Sequence, residues 1–115
     1  FGRSLREAMA GLERRWALVA SGDMSHALQP GAPSGFHPRA QGFDAAVVEA
    51  VRRGRLGDLV EIPAELRELA AEDVIDSLES AAGVLGDAIA PDHVLSYEGP
   101  FGVGYFVARL QEAAP

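Results

Sequence analysis

The apolar run Trp16-Ala17-Leu18-Val19-Ala20 breaks off at Ser21-Gly22-Asp23, and this junction constrains the fold more than any other feature of the chain. Five consecutive apolar residues are too few to make a helix, and they lack the polar alternation of a half-exposed strand. A short continuous run of this kind fits a buried strand, parallel in type and covered on both faces. Such a strand implies helices layered on a sheet.

The neighbouring segments supply those helices. Leu5, Met9 and Leu12 recur at helical spacing over Ser4 to Arg15, where Ser4 and Glu7 stand at capping-box spacing. Arg14-Arg15 closes this helix, and Arg52, Arg53 and Arg55 close the next, where cations complement the helix dipole. Residues 29–42 are rich in Pro, Gly and Ser and read as a loop. A second helix is expected from near Asp44 to Arg53, with Phe43, Val47 and Val51 inward and Gly54 at its end. Pro63 suits the first turn of a short helix through Leu69. A third helix is expected from Ala71 to Ala88, with Val74, Ile75, Leu78, Ala82 and Leu85 as its buried stripe and Pro91 beyond its end.

Val94-Leu95-Ser96-Tyr97 and Val103 to Ala108 read as strands around the turn Gly99-Pro100-Phe101-Gly102. The fold class is therefore α/β, with helices packed on a small mixed sheet. Three strands make a thin sheet. Its continuation is expected in residues outside the chain or in a neighbouring copy, which makes an oligomer one of the expectations. The chain starts at Phe1, almost inside its first helix, and so reads as part of something longer.

Composition narrows the function classes. With 115 residues there is room for one small domain, and nearly half are hydrophobic, as in a globular chain. A net charge of −7 argues against a nucleic-acid partner. All ten basic residues are Arg. No apolar stretch approaches the roughly 18 residues that would span a membrane. The chain has no cysteine, hence no disulfide framework and no thiolate metal site, and a reducing cytoplasm is the default expectation.

Chemistry is concentrated at the end of the Trp16–Ala20 run. In open α/β sheets, ligands gather beyond the carboxyl ends of the strands. Here the chain delivers Ser21, Gly22, Asp23, Ser25 and His26 within six residues. His26 suits a general acid or base. Asp23 suits orienting the imidazole, and Ser21 and Ser25 suit donation to an anion. The same residue types also suit a purely structural turn. His37 lies in the long loop that follows the site-bearing strand, Glu98 ends the next-to-last strand, and His93 reads as a surface turn residue. No two histidines have a metal-ligand spacing. The glycines from Gly99 to Gly104 have the wrong spacing for a nucleotide loop.

The ordered stretches VASGDMSHAL, GFDAAVVEAV and LSYEGPFGVGYFVARL resemble the C-terminal half of the class III extradiol ring-cleavage dioxygenases. The family is the protocatechuate 4,5-dioxygenase β-subunit-like superfamily, which also contains the MEMO-type proteins. The resemblance implies that residues 1–115 are the C-terminal part of one α/β sandwich domain whose N-terminal half lies outside this chain. It implies a non-haem Fe(II) and a catechol-like substrate for the full-length protein, with two His ligands in the other half and no metal held by this stretch alone. The acid/base role of the family's SGxxSH stretch falls on His26, with Ser21, Asp23, Ser25, His37 and Glu98 as further cleft candidates. The family's third ligand, a Glu, corresponds to Ala82, with Glu79 about one helical turn away. That departure also implies an alternative: a non-catalytic, MEMO-like binding or scaffold protein that keeps the fold without the metal site.

Overall fold

The computed structural model describes residues 1–86, 89 and 93–111. Among these residues the order of elements is α1 (Gly2–Ala10), α2 (Ala40–Arg52), a 3₁₀ helix (Leu56–Glu61), α3 (Ala64–Ala70), α4 (Ile75–Leu85), β1 (Val94–Glu98) and β2 (Tyr105–Ala108). Helices on a small sheet place the chain in the α/β class.

The core forms where helical periodicity predicts it. Phe43, Val47 and Val51 recur every four residues on α2 and are fully or almost fully buried. They pack with Leu56 and Leu59 of the 3₁₀ helix, Ala70 of α3, and Val74, Ile75 and Leu78 at the start of α4. Met24 joins this cluster from the long loop, so the turn that follows Ala20 is anchored in the core rather than lying on the surface. Asp44 is also buried, on the same face of α2.

Several helix ends differ from expectation. The first helix begins at Gly2 and stops at Ala10, and no side chain caps it, so Ser4 and Glu7 lie inside it rather than forming a capping box. Its position is set by close packing on α4: a Cβ on Gly2 would collide with the Ser80 carbonyl oxygen and lie 2.8 Å from the Gly83 Cα. Arg14 and Arg15 fall beyond this helix and do not close it. Helix α2 starts at Ala40, four residues before Asp44 and inside the expected loop. The expected helix from Ala71 starts late, because Ala71 takes a left-handed conformation (φ 54°) that ends α3. The Glu72 carboxylate then accepts the Val74 and Ile75 amides at 2.8 and 3.0 Å and starts α4. The far end of the expected helix, Ala88, and Pro91 lie outside the described residues.

The sheet shows the largest difference. Strands β1 and β2 pair antiparallel, with Tyr97 opposite Phe106 and Glu98 opposite Tyr105, and an irregularity between Val94 and Ser96. Trp16–Ala20 joins no strand, and Trp16 and Val19 are 50% and 82% exposed. The backbone groups of residues 15–20 make no backbone hydrogen bond with any described residue. The expected buried strand does not form among the described residues, because a strand is completed only by what lies beside it.

The α1–α4 crossing generates a stability test. Gly2→Ala and Gly83→Ala should each force the two helices apart and cost about 1–3 kcal/mol. Gly42→Ala, in the first turn of α2 with open space around it, should instead stabilise by about 0.5–1 kcal/mol. Urea unfolding of the three variants checks the contrast in sign.

Candidate functional site

Residues 23–28 form a strip pinned along both sides. On one side the Met24 and Leu28 amides donate to the carbonyls of Gly104 and Gly102, at 3.2 and 3.0 Å, and the Gly104 amide donates to the Ser25 carbonyl at 2.8 Å. On the other side the His26 amide donates to the Ala70 carbonyl at 2.8 Å, and the Asp73 amide donates to the Asp23 carbonyl at 3.1 Å. The Asp23 amide in turn donates to the Asp73 carboxylate. Gly22 permits this approach, since a Cβ there would lie 2.6 Å from the Asp73 carbonyl oxygen. The Ser21 carbonyl accepts the Ser77 hydroxyl of α4 at 2.6 Å, which fixes the entry to the strip.

His26 emerges from this frame partly buried, with its ring held at both nitrogens. Nδ1 lies 2.6 Å from the Ala71 carbonyl oxygen and Nε2 lies 3.2 Å from Asp23 Oδ2. Both partners are acceptors, and the shorter contact to the Ala71 carbonyl assigns the proton of the neutral ring to Nδ1. In the neutral ring the lone pair is therefore on Nε2, and in the imidazolium Nε2–H donates to Asp23. The left-handed Ala71 presents the carbonyl that fixes this tautomer, placing a sparsely populated backbone conformation directly at the site. The arrangement can take up or release one proton at Nε2, beside an exposed carboxylate.

Ser25 has a different role from the one its residue type suggested. It is fully buried; its hydroxyl donates to the Ala70 carbonyl at 3.1 Å and accepts the Ala27 amide at 3.1 Å. No donor remains for a ligand, so Ser25 is a structural link in the strip. Asp23 is exposed beside His26, and Ser21 is exposed at the entry to the strip. The loop after the strip folds back on it: the Ser34 amide donates to the His26 carbonyl at 3.1 Å and the His37 amide to the Ala27 carbonyl at 3.0 Å. His37 is thereby held close to the strip by its backbone, while its Nδ1 accepts the Arg39 amide at 3.2 Å at the entry to α2. Glu98 is exposed at the end of β1, and among the described residues no hydrogen bond or ion pair joins it to His26. His93 is partly buried rather than a surface residue. Ala82 lies on α4, packed against the core cluster.

Two residues at the back of the site were not anticipated. Asp44 Oδ1 accepts the Ser25 amide at 2.8 Å, and Oδ2 accepts the Tyr97 hydroxyl at 2.6 Å. Burial pushes the Asp44 carboxyl above its ordinary range, while the bonds from Tyr97 and Ser25 and the nearby His26 oppose the shift. Burial, together with the Asp44 hydrogen bond and charge, holds the Tyr97 hydroxyl protonated well above its usual range. The sequence signal was present in Asp44 itself, a charged residue on the apolar stripe of α2. An open groove of about 720 Å3 lies between α2 and β1, lined by Gln41, Glu49, Arg52, Leu95 and Tyr97 among others. His26 is not part of that groove; Tyr97 connects the two through Asp44.

Among the described residues no three His, Cys, Asp or Glu side chains gather as a metal-ligating group. No described helix is long and apolar enough to cross a membrane.

Comparison with known proteins adds two findings. The family model described as the catalytic LigB subunit of aromatic ring-opening dioxygenase matches residues 1–108. Protein CA_C1420 of Clostridium acetobutylicum is 32% identical over 111 residues, which is 96% of this chain. The chain spans only 24% of that relative's length.

The buried carboxyl makes a pH prediction. Folded Asp44 holds its proton more tightly than the unfolded chain does, so protonation favours folding and this contribution is lost as pH rises through the raised folded value. The stability of the protein minus that of Asp44→Asn should therefore fall as pH rises from below the ordinary carboxyl range toward neutrality. Urea unfolding of both proteins across that range checks the slope, which has the opposite sign from that of an ordinary salt-bridged carboxylate.

Proposed function

We propose, from the premise that this chain belongs to the family of the catalytic LigB subunit of aromatic ring-opening dioxygenases, that it forms the acid/base side of an extradiol-type cleft in which His26 moves a proton at a catecholic substrate. The observation that carries the reading is the fixed tautomer: Nδ1–H is committed to the Ala71 carbonyl, so Nε2 is the basic atom. In the step assigned to this chain, Nε2 accepts the proton of a catechol hydroxyl and the substrate becomes the catecholate. The resulting imidazolium donates to Asp23 Oδ2, and Nε2 returns the proton later to an oxygen of the product. The pinned strip keeps the ring from turning, so the same atom acts in both directions.

Members of this family use non-haem Fe(II), but the described residues do not fit a facial triad: His26 has only Asp23 as a neighbouring donor side chain, and no ligand group forms. No step here runs through iron. On this reading the iron ligands, and the strands that flank Trp16–Ala20, come from other parts of a longer protein working in the cytoplasm. The much greater length of the Clostridium relative supports that division. Ala82, at the position that corresponds to the family's Glu ligand, supports a second reading: a binding or scaffold protein of the same fold without ring-cleavage activity.

Oxygen uptake separates the two. Full-length protein reconstituted anaerobically with Fe(II) is expected to consume O2 with at least one member of a catechol panel. His26→Ala should lower kcat by about 100-fold or more while the melting temperature stays within a few degrees. Absence of uptake by the unaltered protein would leave the scaffold reading in place. Loss of the fold in His26→Ala would reassign His26 to structure.

A further inference from the structure

We propose that Asp44 is the positioning residue of the His26 site, holding the Ser25 amide from α2 while Tyr97 holds its second oxygen. The proposal rests on the reading of His26 as the proton-moving group.

The argument begins with cost. A carboxylate on the core face of a helix is expensive unless its oxygens are satisfied, and an apolar residue would pack there without that penalty. Asp44 is fully buried, and no Arg or Lys pairs with it among the described residues. Its two oxygens instead join two separate elements: the strip through the Ser25 amide at 2.8 Å and β1 through the Tyr97 hydroxyl at 2.6 Å. Tyr97 is steadied from α2 as well, where Gln41 Nε2 donates to its hydroxyl oxygen at 3.2 Å. The space is shaped to the carboxylate, since a Cβ on Gly104 would collide with Asp44 Oδ2.

The result is a Ser25 with every polar group engaged. Its amide goes to Asp44, its carbonyl to the Gly104 amide, and its hydroxyl to Ala70 and Ala27. His26 is the next residue, and its amide is tied to the same Ala70 carbonyl that accepts the Ser25 hydroxyl. Asp44 therefore holds the Met24–Ser25 peptide unit by its N–H and acts on His26 through Ser25. Freeing that N–H lets the Met24–Ser25 unit rotate, which shifts Ser25 and moves Nε2 away from the place where a substrate hydroxyl must meet it. A displacement on the order of 1 Å is enough to cost about 100-fold in rate.

Three variants test this, each followed by oxygen-uptake kinetics and by the ring signals of His26 in 1H–13C NMR. Asp44→Ala removes both contacts and should lower kcat by about 30- to 100-fold with KM changed by less than about twofold, while shifting the His26 signals. Asp44→Asn keeps an oxygen for the Ser25 amide and should restore kcat to within about fivefold, with His26 signals near their original place. Tyr97→Phe leaves the Ser25 contact but removes the clamp, and should give a shift between the two. Should Asp44→Ala not fold, the graded order of Asp44→Asn and Tyr97→Phe still decides the matter. Folded variants with unmoved His26 signals and unchanged kcat overturn the proposal. If the unaltered protein shows no oxygen uptake, the dioxygenase reading fails by itself, and the His26 signals alone then decide whether Asp44 positions the ring.

Discussion

A buried carboxylate with no Arg paired to it among the described residues must find its hydrogen bonds elsewhere, and the way Asp44 finds them organises the rest of this structure. One oxygen reaches Ser25 and the other reaches Tyr97, so α2, the strip before the long loop and the terminal hairpin meet at a single side chain. The helices around it form an ordinary apolar core. The link from that core to the candidate chemistry is polar, and this makes it specific in direction: a carboxylate with two committed oxygens has little freedom to turn.

The same logic runs along residues 23–28. Hydrogen bonds from residues 70–73 and from residues 102–104 flank the strip, so it behaves like the middle of a sheet although no regular strand is present there. His26 is the partly buried residue of this strip whose ring meets the exposed Asp23 carboxylate. Its Nδ1 is tied to the Ala71 carbonyl and its Nε2 faces Asp23. A rigid backbone that fixes one nitrogen on a carbonyl and sets the other beside a carboxylate is a geometry suited to acid/base work.

Much of this was legible in the sequence where the forces are local. The four-residue recurrence of Phe43, Val47 and Val51 identified the buried face of α2, Pro63 identified the start of α3, and the last two apolar runs identified the hairpin. The candidate turn was also legible, because Ser21, Asp23, Ser25 and His26 crowd the end of an apolar run. The failures are non-local. Trp16–Ala20 has the composition of a buried strand, but pairing depends on neighbours that the described residues do not supply. The end of α3 and the late start of α4 depend on a left-handed Ala71 and on the Glu72 carboxylate, neither of which the apolar stripe reveals. Ser25 reads as a donor for ligands until its burial is known. Asp44 could have been singled out, since a charge on an apolar helical stripe needs a reason.

The central claim is that His26 is held in one tautomer with Nε2 as its working atom, and 15N NMR of the imidazole ring reads this directly. The account predicts, for the neutral ring, a protonated Nδ1 and an unprotonated Nε2, with the Nε2 resonance moving when catechol is added. A protonated Nε2 with the lone pair on Nδ1, or ring resonances that ignore catechol, would contradict it.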